Sequence, residues 1–185
     1  MQSYWWRGDI WQINNRQDDS EPPANVPAGA RLMFSVAFIC TANRCRSIMA
    51  HAILCDEARK RSLAIDIFSA GTLDFSDQPP LIETSMTCLH FHTPVPKQTP
   101  TWVAQLPLDS IDRFLVMEQR HANDLREQFG VSADRISLLG TFDPKRRGAE
   151  IEDPFFSYSQ EVYRSSYQKI RDCIVRYLDT TDELK

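Results

Sequence analysis

Short apolar runs alternate along the chain with segments whose apolar positions recur every three or four residues, the pattern of strands feeding amphipathic helices. Met33-Phe34-Ser35-Val36-Ala37-Phe38-Ile39 is a strand-like run, and Ile48, Met49, Ala52, Ile53 and Ala58 follow it at helical spacing. Carried down the chain, the pattern predicts strand 34–39, helix 46–60, strand 64–68, helix 79–90, strand 112–117, helix 119–129, strand 135–138 and helix 159–178. This alternation implies an α/β fold with a parallel sheet, and right-handed crossovers place helices on both of its faces in three αβα layers. In the last helix, Val162, Ile170, Ile174, Tyr177 and Leu178 lie near one face and read as core.

Open parallel sheets bind ligands at the carboxyl ends of their strands, and the loop at the end of the first strand carries the chemistry. It reads Cys40-Thr41-Ala42-Asn43-Arg44-Cys45-Arg46-Ser47. Loop amides and the first-turn N–H groups of the following helix converge on one point, which the helix dipole also favours for an anion. A cysteine placed there is stabilised as a thiolate and can act as a nucleophile, so Cys40 is the candidate. The planar fork of Arg46 can hold two phosphate oxygens and stabilise the added charge of a trigonal-bipyramidal transition state. Ser47 can donate its hydroxyl to the thiolate, which makes Cys40 a better leaving group. The spacing alone also fits a buried cysteine ending a core strand and a surface arginine opening a helix.

A second stretch, Glu152-Asp153-Pro154-Phe155-Phe156, lies in the loop before the last helix. Breaking a phosphoester calls for an acid to protonate the departing oxygen, and Asp153 is the candidate. Pro154 would stiffen its loop, and Phe155 and Phe156 would form an apolar wall for a flat leaving group.

With Cys-x5-Arg-Ser in the first strand-to-helix turn and an Asp-Pro-aromatic loop near the end, the chain resembles the low-molecular-weight protein tyrosine phosphatase family over about residues 34–178. Ser69-Ala70-Gly71-Thr72, and Phe114-Leu115-Val116-Met117 followed by Glu118, resemble further stretches of that family. The resemblance implies a four-stranded parallel sheet in the order 2-1-3-4 with the phosphate-binding loop after strand 1. It implies hydrolysis of phosphotyrosine in proteins, or of small phosphomonoesters, through a phosphocysteine, with no metal or other cofactor. Cys40 would then be the nucleophile, Arg46 the phosphate clamp, Ser47 the thiolate partner, and Asp153 the acid that later serves as base. Thr41, Ala42, Asn43, Arg44 and Cys45 would complete the phosphate-binding loop, with Ser69 hydrogen-bonded to Asn43. Cys45 matches a loop cysteine that in many members traps the oxidised nucleophile as a reversible disulfide, though a small packing residue would serve equally there. Larger tyrosine phosphatases usually have His before the nucleophile and an acid upstream of it, whereas here Ile39 precedes Cys40 and the acid lies downstream.

Several positions depart from the family pattern. Ala42 stands where Gly is usual, and if the loop needs a positive φ there, alanine costs roughly 1 kcal/mol. Ile48 replaces a usual Pro. Arg44 occupies a position that usually holds Ile, Leu, Val or Thr at the pocket mouth; it either favours acidic sequence around the phosphoresidue, narrows the mouth, or points into solvent. His92-Thr93-Pro94-Val95-Pro96-Lys97-Gln98 replaces a His-x-Ala-Arg-Gln segment, so the network behind the loop is open to change. Two alternatives to hydrolysis follow: a phosphoresidue-binding module with weakened catalysis, or arsenate reduction on the same loop. Thioredoxin-coupled arsenate reductases resemble this fold with an added Cys pair after the third strand, and residues 118–130 contain no Cys.

Composition narrows the picture. The 185 residues suit one domain with an appendage, residues 33–185 and 1–32. A net charge of −4 gives no ground for expecting nucleic acid as a partner, and no segment reads as a membrane span or secretory signal. The basic run Lys145-Arg146-Arg147 reads as a solvated loop, or as a weak steering element for anions. Five cysteines, an odd number with no paired framework, suit a reducing compartment and hence the cytoplasm. Cys45, His51 and Cys55 lack a second pair at zinc spacing. The leader carries Trp5, Trp6 and Trp11, followed by a polar, Pro-rich stretch expected to be flexible. Met33, directly before the first core strand, is an alternative start of the native chain.

Overall fold

A computed structural model of the chain describes residues 4–7, 10–13, 33–97, 99–157 and 159–181. In the leader, β1 (Tyr4–Arg7) and β2 (Ile10–Ile13) pair antiparallel, with Trp6 opposite Trp11. The sequence pattern predicts no strands there. The Pro-rich part of the leader, expected to be flexible, lies outside the described residues.

The domain follows as β3 (Phe34–Cys40), α1 (Arg46–Arg61), β4 (Ile65–Gly71), α2 (Ile82–His90), β5 (Arg113–Val116), α3 (Gln119–Glu127), β6 (Ile136–Leu138) and α4 (Gln160–Thr180). Its sheet is parallel throughout, in the order β4-β3-β5-β6. Counted within the domain this is 2-1-3-4, with the cysteine loop following the first strand.

The strand period of two explains both cores. Val36, Phe38 and Cys40 of β3 face a cluster with Met49 and Ile53 of α1 and Ile170, Ile174 and Tyr177 of α4. Ala37 and Ile39 face the opposite side, against Phe114, Val116 and the α3 residues Ala122 and Leu125. A run buried on both faces therefore places β3 in the middle of the sheet.

Boundaries differ from the expected ones for local reasons. Helix α2 begins at Ile82 rather than 79, because Pro79 and Pro80 hold the residues before them in extended backbone. Strand β4 runs on to Gly71, since Ser69, Ala70 and Gly71 stay in register with Phe38, Ile39 and Cys40. The α4 stripe is Tyr163, Tyr167, Ile170, Cys173, Ile174, Tyr177 and Leu178. Val162 is one position off that stripe and 43% exposed, so its assignment to the core is corrected. No described helix is long and apolar enough to cross a membrane.

One buried group ties the core to acidity. His51 sits in the interior of α1 with Nδ1 3.3 Å from Ser69 Oγ, and burial pushes its pKa down to about 4. The native state keeps it neutral while the unfolded chain takes up a proton below about 6.5, so the unfolded state binds more protons in that window. Stability present above pH 6.5 is then lost as pH falls towards 4, by on the order of 3 kcal/mol from this residue. Thermal unfolding is expected to shift to lower temperature from pH 7 to pH 4.5, and His51→Gln should lessen that slope, leaving the share of the second buried histidine, His121, whose pKa is pushed down to about 3; an unchanged slope in the variant would exclude His51 as a source.

Candidate active site

The phosphate-type loop is held open by its neighbours' backbone. Cys40 ends the central strand, and the Thr72 and Leu73 amides donate to the Cys40 and Thr41 carbonyls at 3.0 and 2.9 Å. Gly71 lies against this turn so closely that a Cβ there would sit 2.7 Å from Thr41 O and 2.9 Å from Ala42 Cα. Only glycine permits that approach.

At the loop's apex Asn43 adopts a φ of 49°, in the left-handed region that asparagine tolerates. Ala42 is not among the residues with positive φ, so the cost anticipated for an alanine there does not arise. Asn43 is fully buried; its Oδ1 accepts from the Thr101 amide at 2.8 Å, and its Nδ2 donates to Ser47 Oγ at 2.8 Å. The resemblance implies Ser69 as the partner of Asn43, yet the carboxamide bonds Ser47 and Thr101, and Ser69 Oγ faces His51. The altered segment after α2 thus leads into a backbone donor, Thr101, that fixes the loop.

Ser47 Oγ in turn lies 3.0 Å from Cys40 Sγ. Asn43 donates to the same oxygen, and towards a Cys40 thiolate, which has no hydrogen to give, the Ser47 hydroxyl is the donor.

Arg46 is the first residue of α1 and only 1% exposed. Its Nη1 donates to Glu118 and, at 2.8 Å, to the Ile151 carbonyl; its Nη2 donates to Asp153 Oδ2 at 2.5 Å. Burial works to raise the pKa of Glu118, but hydrogen bonds from Arg120 and Arg46 outweigh it and hold the carboxyl down at about 2. Glu118 is therefore ionised at neutral and mildly acidic pH.

Beside this pair runs a chain of donors ending at Thr41. The Glu118 amide donates to His121 Nδ1 at 3.2 Å, which leaves Nε2 to carry the ring hydrogen and donate to Thr41 Oγ1 at 3.0 Å. Burial and the neighbouring Arg46 charge push the His121 pKa down to about 3, so the ring stays neutral. Arg120 Nη2 also donates to Thr41 Oγ1, at 2.9 Å. Arg46 Nη2 approaches the same oxygen at 3.5 Å, so with donors already around its oxygen the Thr41 hydroxyl keeps its hydrogen for a further acceptor.

Asp153 caps a short 3-10 turn, Pro154–Phe156, by accepting from the Phe155 amide at 3.2 Å. Together with Cys40 it lines a cavity of about 230 Å³ that Thr41, Ala42, Arg44, Cys45, Arg46 and Arg120 also line. Leu73, Phe75, Leu81, Phe155 and Phe156 supply its apolar walls. The two phenylalanine rings meet edge-on with centroids 5.2 Å apart. The predicted loop, arginine, aspartate and aromatic wall are thus brought together, while Ser69 lies behind the loop. Cys45 is a buried free thiol on the cavity wall, its pKa pushed well up by burial. Sequence reading missed the parts played by Glu118, Arg120, His121, Gly71 and Thr101. Glu118 carried the one usable signal, an acidic residue at the carboxyl end of a core strand.

A buried thiol and guanidinium at the carboxyl end of the central strand of a 2-1-3-4 parallel sheet define a Cys-x5-Arg loop enzyme of the phosphatase type. The chain belongs to the low molecular weight phosphotyrosine protein phosphatase family, whose model it matches over residues 35–185. It is similar to low molecular weight protein-tyrosine phosphatase A of Mycobacterium tuberculosis, 32% identical over 127 residues covering 65% of this chain and 76% of that one. A protein-arginine-phosphatase of Bacillus subtilis is 24% identical over 146 residues, 75% of this chain and 91% of its own. In fold it is similar to the crystal structure of a low molecular weight protein tyrosine phosphatase from T. tengcongensis, with a TM-score of 0.73, 23% identity and coverage of 80% of this chain and 99% of that one.

Thiol reactivity follows from the site. Burial pushes Cys55, Cys88 and Cys173 up to about 12, and Cys45 is raised as well. Limiting iodoacetamide at pH 6.5 should therefore modify Cys40 first, with inorganic phosphate protecting it. Peptide mass spectrometry showing equal labelling of the five cysteines would contradict this geometry.

Proposed function

We propose that the chain hydrolyses phosphotyrosine in proteins through a phosphocysteine formed on Cys40. The observation that carries this reading is that one cavity is lined by Cys40, which lies 3.0 Å from the Ser47 hydroxyl, by Arg46 and by Asp153, which Arg46 holds at 2.5 Å.

A phosphate dianion entering the loop takes the Arg46 Nη2 donor now held by Asp153, while Glu118 and the Ile151 carbonyl keep Nη1 and hold the fork in place. The Thr41 hydroxyl and the first-turn amides of α1 supply further donors to the phosphoryl oxygens. Cys40 sulfur then attacks phosphorus in line with the ester oxygen. Displaced from Arg46, the Asp153 carboxylate takes up a proton from solvent and gives it to the departing phenolate as the P–O bond breaks; as the resulting carboxylate it takes a proton from water in the second step. That water forms the new P–O bond and the P–S bond breaks. Ser47 stabilises the sulfur as it leaves with the electron pair.

Tyrosine is favoured over arginine as the phosphoresidue by the walls. Leu73, Phe75, Leu81, Phe155 and Phe156 suit an uncharged phenyl ring, whereas the cations Arg44 and Arg120 on the same cavity would repel the guanidinium of phosphoarginine. The free state of all five cysteines supports a reducing, intracellular site of action.

Hydrolysis of p-nitrophenyl phosphate from pH 5 to 8 without added metal tests the reading. Cys40→Ser should abolish turnover, and Asp153→Asn should lower kcat by about 10²- to 10³-fold. Ser47→Ala should slow the second step and reveal a burst of nitrophenol. Reduced, folded protein with no turnover of any phosphomonoester would favour the binding-module alternative, and faster release of phosphate from phosphoarginine than from phosphotyrosine would reassign the substrate.

A further inference from the structure

Arg44 and Arg120 both line the cavity, but their charges are treated differently by the fold. Arg120 is held by a carboxylate: its Nε lies 2.8 Å from Glu118 Oε2, its Nη2 3.1 Å from Glu118 Oε1, and the same Nη2 bonds Thr41. Arg44 is anchored entirely by neutral groups. Its Nε donates to the Pro79 carbonyl at 2.8 Å, while its own carbonyl accepts from the Leu81 amide at 3.1 Å and from the Thr84 hydroxyl at 3.0 Å.

These contacts pin the base and the stem of Arg44 against the segment before α2. They use one of its five donors, and among the described residues no carboxylate pairs with the guanidinium of Arg44, a residue that lines the cavity. A guanidinium fixed at Nε presents its Nη edge as a ready fork for a carboxylate. The wall next to it is apolar, formed by Leu73, Phe75 and Leu81, so a phenyl ring seated there brings its own flanking chain past Arg44.

We infer that Arg44 is a specificity residue that binds an acidic side chain next to the phosphotyrosine, so that the preferred substrates are phosphotyrosine segments with Asp or Glu beside the phosphoresidue. The inference rests on the phosphatase reading and narrows it to a substrate class. The bond is a partly exposed ion pair outside the reacting atoms. Its effect is a modest preference that weakens with salt rather than an absolute requirement.

The test compares kcat/KM for phosphotyrosine peptides identical except for Glu, Ala or Lys at both flanking positions. Wild type should rank Glu above Ala above Lys, with a Glu-to-Lys ratio of about three- to tenfold at low salt that shrinks towards one in 0.5 M NaCl. Arg44→Gln should collapse the ratio, Arg44→Glu should invert it, and Arg44→Lys should restore part of it. Because each variant is judged by its own ratio, a change in its overall rate does not disturb the comparison. An Arg120→Gln control should keep the ranking. Hydrolysis of all three peptides at equal rates by wild type, or an undiminished ratio in Arg44→Gln, would overturn the inference while leaving the phosphatase reading intact. Failure of wild type to hydrolyse any of the peptides would overturn both.

Discussion

A guanidinium sealed from water is the constraint on which the site depends. Arg46 is almost completely buried, and an unpaired charge there would cost several kcal/mol. Its partners come from distant parts of the chain: Glu118 after β5, then the Ile151 carbonyl and Asp153 before α4. Satisfying this one cation therefore draws the start of α3 and the long loop ahead of α4 to the mouth of the cysteine loop. Placement of the proposed acid is a by-product of solvating Arg46 with protein atoms.

The same economy appears in the polar groups around the loop. Asn43 donates to Ser47 and holds its oxygen against Cys40; the Glu118 amide fixes the His121 tautomer, which leaves the Nε2 hydrogen for Thr41. Each donor is oriented by a group one step further from the cavity. The outermost groups are backbone amides, whose positions the sheet and helices set. Preorganisation here is thus inherited from the fold, because these donors need not reorient when an anion arrives.

How far the site could be read from the sequence follows from how local each signal is. The sheet was legible because β3 alternates between two buried faces and because the apolar spacing of α1 holds throughout its buried turns. Cys40, Arg46 and Ser47 share one turn, and Asp153 sits beside the aromatic pair, so each carries its own context. Arg120 and His121 carry none: they lie in a polar helix start indistinguishable in sequence from a solvated surface, and only the return of β5 beside β3 brings them to Thr41. Gly71 acts through a missing Cβ, visible only once Ala42 is seen against it. The displaced stripe of α4 has a similar cause. Tyr163 and Tyr167 bury their rings where an aliphatic reading preferred Val162.

The departures from the family pattern take on a different weight in this light. Strain at Ala42 was one ground for expecting impaired chemistry, but the left-handed position of the loop belongs to Asn43, and Ala42 needs no such backbone. Ile48, in the first turn of α1, keeps an N–H that proline would lack, and that N–H is one of the amides with no acceptor inside the helix. The Ile48 side chain is fully buried. The segment after α2 still delivers a donor to Asn43 through Thr101. None of these three changes removes a group that the proposed reaction uses. Arg44 is the departure that remains, and it alters the charge at the cavity mouth rather than the machinery beneath it.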